Sequence, residues 1–237
     1  SNQFVEWIEG NSLFGAEKFV VYNHSSNASL SPYVNYYENQ KRLDFRAWSL
    51  PLGKQDIKNF AHMVLLSDCM YRNMYSSKYI AFLDLDELLV PKEAQTWLEV
   101  LKMKKCEEQS SIGFQNVFYK LEWEQDEVTS KNQTISGLGL KSLLYTKRET
   151  KIWPHKSRSK YIVRPENILE PGVHFPHKYL SAKSNCNIAP NIAWIQHYRW
   201  WDDIPQGKWV DDRTMSKYAD RLVQASQLTH TSVKGVQ

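Results

Sequence analysis

Apolar residues come in short bursts along the chain, and their spacing predicts alternating helices and strands. Phe4, Val5, Ile8 and Leu13 fall near a helical repeat that Gly15 closes. Phe19-Val20-Val21-Tyr22 is β-branched and aromatic and runs into turn formers at 23–27, the pattern of a short buried strand. A second helix is expected at 32–39, then a strand at 43–48 with period-two alternation, broken by Pro51-Leu52-Gly53. Residues 55–75 place Ile57, Phe60, Ala61, Val64, Leu65 and Cys69 at three- and four-residue intervals, as a long amphipathic helix does. The apolar run at 79–83 then meets three acids, Asp84, Asp86 and Glu87. Without alternation, such a run predicts a strand buried on both faces, hence a parallel sheet.

The rest of the pattern predicts a helix at 94–104, a strand at 112–119, polar loop at 121–150, short strands at 161–163 and 192–195, and a helix at 211–227. No repeat or linker divides the chain. The expectation is therefore one α/β domain over 1–237: a nucleotide-binding half at 1–91 and an acceptor-binding half at 92–237.

Composition narrows the class. At 42% apolar and 24% charged over 237 residues, the chain is long enough for a sizeable core and too polar for a multi-span membrane protein. No run of 18 apolar residues occurs. Three cysteines, Cys69, Cys106 and Cys186, allow one disulfide and exclude a disulfide-framework fold. The net charge of +4 does not suggest a nucleic-acid partner. Basic residues nevertheless gather at Lys141, Lys147, Arg148, Lys151, Lys156, Arg158, Lys160 and Arg164, as a solvated face or as a local anion site. Sequons at Asn23, Asn27 and Asn132 weakly favour a secreted or lumenal protein, and the start without Met suggests a processed or truncated chain.

The candidate chemistry lies at 84–87. Carboxylates at the end of a buried strand sit where α/β sheets bind ligands. On a strand Asp84 and Asp86 would share a face, about 6.6–6.8 Å apart along the chain, with Leu85 turned into the sheet. Two such carboxylates suit a hard divalent cation that bridges to phosphate. The segment also resembles the haloacid dehalogenase-type phosphatases, with Asp84 as nucleophile. Against that reading, two strands precede the motif, and no later Lys and Gly-Asp-x-x-x-Asp pattern follows it.

A narrower resemblance covers roughly residues 3–203. Tyr22-Asn23-His24-Ser25-Ser26, Asp68-Cys69-Met70-Tyr71-Arg72-Asn73 and the block from Tyr79 through Asp84-Leu85-Asp86-Glu87 to Pro91 resemble glycosyltransferase family 92. So do Lys160-Tyr161-Ile162-Val163-Arg164-Pro165-Glu166, Gly172-Val173-His174 and His197-Tyr198-Arg199, all in the family's order. The resemblance implies a GT-A-type nucleotide-sugar transferase fold with a central, mostly parallel mixed sheet flanked by helices. It implies an inverting, metal-dependent galactosyltransferase that moves galactose from UDP-galactose to a glycan on a glycoprotein or glycolipid. The expected setting is the Golgi lumen, as the catalytic domain of a type II membrane protein whose anchor lies outside this chain.

Carried over residue by residue, Asp84 and Asp86 become ligands of Mn2+, and Asp84 also a nucleotide contact. The third ligand is His197, with His174 as its rival. Tyr22, Asn23, Asp68 and Arg72 would face uracil and ribose; an Asn23 in that pocket could not also carry a glycan. Lys156, Lys160 and Arg164 would stabilise the leaving diphosphate. Inversion needs an acceptor-side carboxylate as general base; Glu166 comes first, with Asp202, Glu122 and Glu124 as further candidates. Nine Trp and 13 Tyr raise a third reading, a non-catalytic carbohydrate-binding protein with stacking platforms. Trp200-Trp201, just after His197-Tyr198-Arg199, is the pair expected to stack on an acceptor sugar.

Overall fold

Strand β4 (Glu87–Pro91) is buried at all five residues and alternates between two cores. Leu88 and Val90 join a core with Val117, Tyr119, Trp194 and Tyr198, closed by Leu140, Leu143, Met215, Tyr218 and Leu222 from short helices and from the C-terminal helix. Leu89 joins the other core, with Ile112, Phe114, Ile162, Ile188 and Ile195. A Leu or Val fully removed from water contributes about 1.5–3 kcal/mol, so a strand of this composition has one favourable register.

The computed structural model describes residues 1–49, 61–180, 184–201 and 208–235. The chain opens with α1 (Asn2–Leu13) and β1 (Phe19–Asn23). Next come α2 (Ser31–Asn39), β2 (Leu43–Ala47), α3 (His62–Asn73) and β3 (Ile80–Phe82). After β4 follow α4 (Trp97–Met103), β5 (Ser111–Phe114) and β6 (Asn116–Lys120). The segment expected to be loop folds into three short helices, α5 (Glu127–Ser130), α6 (Gln133–Leu138) and α7 (Lys141–Leu144). Asp126 and Asn132 cap the first two through their side-chain oxygens. Then come β7 (Lys147–Glu149), β8 (Lys160–Val163), β9 (Ile168–Glu170), β10 (Lys178–Tyr179) and β11 (Asn185–Ile188). The chain ends with β12 (Ala193–Arg199), β13 (Trp209–Asp211) and α8 (Ala219–Lys234). The last helix thus starts eight residues beyond the expected position, behind a 3-10 turn at Thr214–Tyr218.

The sheets are mixed, as expected of an α/β chain, but they are not one mostly parallel sheet. The strands group as β11-β5-β8-β3, β13-β7-β6-β12-β4, and the pairs β1-β2 and β9-β10. Among the described residues, β1 with β2, β11 with β5 and β12 with β6 are parallel. The other pairings are antiparallel, including β3 with β8 and β4 with β12. The non-alternating run at 79–83 predicts a strand covered on both faces, hence a parallel one. In fact β3 is short, and packing from both sides comes from α3 and from the neighbouring sheet rather than from a parallel layer.

Helix α1 fixes the open edge of β4. Asn11 donates from Nδ2 to the Glu87 carbonyl (3.4 Å) and accepts the Leu89 N–H (3.3 Å), so the unpaired edge of β4 is satisfied by a side chain. Cys106 and Cys186 form a disulfide between the segment after α4 and β11, and Cys69 is the free thiol.

Candidate active site

The three acids do not lie on a strand. Asp84, Leu85 and Asp86 form the turn that carries the chain from β3, in the four-stranded sheet, to β4, in the five-stranded one. The Glu87 N–H donates to the Asp84 carbonyl at 3.1 Å and closes the turn. Strand alternation therefore does not apply, and Leu85 is exposed rather than turned into the sheet.

Alternation resumes at Glu87, which falls on the face of Leu89, toward the four-stranded sheet. His197 on β12 stands directly opposite Glu87, and Phe118 on β6 directly opposite His197, so the three form a row across adjacent strands. Glu87 is 1% exposed, and its two oxygens serve different partners. Oε1 lies 3.2 Å from His197 Nδ1. Oε2 accepts the Asp84 backbone N–H at 2.9 Å and lies 3.6 Å from Lys160 Nζ, which arrives from β8. Lys160 Nζ also donates to Asp84 Oδ2 at 2.8 Å. The other imidazole nitrogen, His197 Nε2, lies 3.1 Å from Asp86 Oδ2.

The charges follow from this geometry. Burial by itself would lower the His197 pKa, but Asp86 and Glu87 on its two nitrogens push it up to about 9. Burial likewise disfavours the Lys160 ammonium, and the carboxylates of Glu87 and Asp84 reverse that and raise its pKa. Asp86 is held below the usual carboxylate range because the bond from His197 outweighs the cost of burial.

The sequence placed Asp84, Asp86, Lys160 and His197 among its site residues, and the fold brings these four together. Among the described residues no three His, Cys, Asp or Glu side chains converge closely enough to hold a metal ion. Asp86 and His197 are adjacent, while Asp84 faces Lys160. An oxygen donor beside an imidazole suits a first-row divalent cation, so the residues at the turn fit one in kind.

A second group gathers at the ends of β1 and α3. The Tyr22 hydroxyl donates to Asp68 at 2.6 Å, and Arg72 Nε lies 2.8 Å from both Asp68 oxygens. The Arg72 bond holds Asp68 below the ordinary carboxylate range, and burial followed by the Asp68 contact raises the Tyr22 hydroxyl. Asn23 ends β1, and its carbonyl accepts the Trp48 N–H at 2.8 Å.

Three expected residues are placed elsewhere, and one lies outside the described residues. Val163 pairs with Ile80 and Tyr161 with Phe82, so β8 runs away from the turn. Arg164 and Glu166 sit at its far end, about 13 Å of strand beyond Lys160, joined to each other at 2.8 Å, with Glu108 also on Arg164. His174 does not join Asp86 and His197. Its Nδ1 lies 3.0 Å from the Ser159 carbonyl, and its own carbonyl accepts the Ser159 hydroxyl, so it braces the loop before β8. Gly172, two residues earlier, exchanges hydrogen bonds with the Tyr161 hydroxyl, and any Cβ there would lie 2.3 Å from the Phe175 carbonyl oxygen. Asp202 falls in the segment at 202–207, outside the described residues.

Beyond His197 the wall is aromatic. The Phe118 ring lies 4.7 Å from His197, 5.0 Å from Trp201 and 5.9 Å from Trp153. Glu122 accepts the Trp201 N–H with Oε1, while its Oε2 and the Trp201 indole nitrogen are buried without a partner. Trp201 is thus committed to this wall, and of the expected stacking pair Trp200 is the exposed member, at 62%. Sequence reasoning missed Glu87 as a site residue. The signal was present, because a charged residue leading into a strand as apolar as Leu88-Leu89-Val90 must be paired.

The turn thus brings two aspartates, an imidazole and a buried ammonium together beside an aromatic wall. The chain belongs to glycosyltransferase family 92, whose model matches residues 1–234. It is similar to the beta-1,4-galactosyltransferase galt-1 of Caenorhabditis elegans, 28% identical over 204 residues, covering 84% of this chain and 44% of that protein. It is also similar to the galactan beta-1,4-galactosyltransferase GALS3 of Arabidopsis thaliana, 28% identical over 135 residues, 57% of this chain and 25% of that protein. The chain therefore spans less than half the length of these two relatives. Family membership leaves the phosphatase reading without support.

Proposed function

We propose that this chain is the catalytic part of a galactosyltransferase that transfers galactose from UDP-galactose to a glycan acceptor with inversion at the anomeric carbon. The observation that carries the reading is the Asp84–Asp86 turn, gripped by Lys160 from one sheet and by His197 from the other, in a family 92 chain whose named relatives are galactosyltransferases. Asp86, His197 and, once released from Lys160, Asp84 would hold a divalent cation, Mn2+ by the family resemblance. Such an ion supplies charge neutralisation for the diphosphate. Tyr22, Asn23, Asp68 and Arg72 would meet uracil and ribose. Lys160, once freed from Asp84, would take a phosphate oxygen.

Transfer forms a bond from an acceptor oxygen to galactose C1 as the bond to the diphosphate breaks, and the acceptor proton passes to a carboxylate. Glu122 suits that role, because it has an unpartnered buried oxygen and stands in the aromatic wall beside Trp201. The Cys106–Cys186 disulfide favours an oxidising compartment, in keeping with a Golgi-lumenal domain of a type II membrane protein.

UDP-galactose turnover with and without Mn2+ tests the reading. Metal-dependent turnover is expected, falling by about a hundredfold or more in Asp86→Ala. Absence of metal-dependent turnover, or full activity in Asp86→Ala, would overturn it.

A further inference from the structure

The fold pairs half of the basic cluster at 141–164 with carboxylates. Lys147 meets Glu124, Arg148 meets Asp212, Lys160 meets Asp84 and Glu87, and Arg164 meets Glu108 and Glu166. Lys151 and Lys156 each lie over one ring, Trp153 at 3.5 Å and Phe175 at 5.6 Å, and Arg158 meets more. Its guanidinium lies over three aromatic rings, 5.0 Å from Trp153, 5.4 Å from Trp201 and 5.5 Å from Phe118, and among the described residues no carboxylate pairs with it. Ring faces attract the cation but leave the N–H edges of its planar fork unused.

We propose that Arg158 is the fixed cation that binds the diphosphate leaving group, a role that rests on the transferase reading above. Three observations converge on it. The first is position: Phe118, one wall of the cage, packs on His197, which in turn bonds to Asp86, and Lys160 follows two residues later in the chain. The second is charge. Asp84 and Glu87 both face Lys160, so that cation is already matched by carboxylates before an anionic substrate arrives. A further cation with no carboxylate of its own is what a diphosphate would require.

The third is the backbone. Lys156 and Arg158 both adopt left-handed conformations, with φ of 69° and 58°, which side chains other than glycine enter only at a cost. The loop is held there by the Ser157 N–H on the Pro154 carbonyl, by the Lys156 N–H on the Ser159 hydroxyl, and by His174 against Ser159. Lys156 is the third residue of the turn closed by Ser157 on Pro154, which calls for a positive φ, whereas Arg158 lies beyond that turn. A planar fork suits the paired oxygens of a phosphate better than an ammonium does.

The test measures binding of UDP, inorganic pyrophosphate, uridine and glucuronate by calorimetry, with Mn2+ present, to the wild-type chain, Arg158→Gln and Arg158→Lys. Near-ultraviolet circular dichroism verifies that the aromatic wall is intact in each variant. Arg158→Gln is expected to weaken UDP and pyrophosphate by about tenfold to a hundredfold, to leave uridine unchanged, and Arg158→Lys to recover part of the loss. Unchanged pyrophosphate and UDP binding in Arg158→Gln would overturn the proposal. So would Arg158-dependent binding of glucuronate without pyrophosphate, which would assign the cation to an acidic sugar. A wild-type chain that binds pyrophosphate through Arg158 but not UDP would uphold the anion site and refute the uridine-nucleotide donor. A wild-type chain that binds neither would overturn both readings.

Discussion

One carboxylate organises the site at the scale of the residue. Glu87 is buried, and each of its oxygens carries a separate duty, toward the imidazole of β12 on one side and toward the Asp84 N–H and Lys160 on the other. Breaking a buried charge pair from one side costs about 3–5 kcal/mol, because the partner stays buried without compensation. Glu87→Gln is therefore expected to lower unfolding free energy in urea by about that much, and a loss under 1 kcal/mol would show that Lys160 and His197 are satisfied without it. The pair Asp84 and Asp86 was legible from the sequence because acids closing an apolar run stand out locally. The sequence marks Glu87 as a charge needing a partner and Arg158 as one of a basic cluster, but not their partners: those of Glu87 come from β8 and β12, and the rings around Arg158 from three separate segments.

At the scale of the element, the region after β6 shows where pattern reading stops. Residues 121–150 lack an apolar period long enough to signal a helix, yet α5, α6 and α7 form there on side-chain caps, and Glu6 of α1 accepts the first N–H groups of α7 at 3.0 and 2.7 Å. Asp212 plays a comparable part between β13 and α8. Its carboxylate takes the Thr214 N–H at 3.0 Å, the Thr214 hydroxyl at 2.6 Å and Arg148 Nε at 3.0 Å. Burial would raise its pKa, and these donors overcome that and lower it. A carboxyl depressed in the folded state adds stability above its ordinary value of about 3.9 and loses it as pH falls through the lowered one. Urea unfolding at pH 6 and pH 3 is thus expected to show a steeper acid loss for the wild type than for Asp212→Asn. Equal losses would show that Asp212 titrates alike in both states.

At the scale of the molecule, the α/β class was legible because bursts of apolar residues alternate with helical periods. The sheet directions were not. A strand covered on both faces reads the same whether its cover is a helix layer or a second sheet, and β3 has a sheet on one side. The Trp-rich composition also divides by context. Trp7 and Trp194 are core, with Lys92 at 3.7 Å over the Trp194 ring, whereas Trp153 and Trp201 cage Arg158. The turn at Asp84–Asp86 is the seam between the two larger sheets, with Lys160 on one side and His197 on the other. A ligand that grips both aspartates is therefore a rivet across that seam, added to the core that the two sheets already share around Leu89, Ile112 and Ile195. Hydrogen exchange should slow together in β8 and β12 on adding Mn2+ and UDP, and protection confined to one sheet would show that the ligand rests on that side alone.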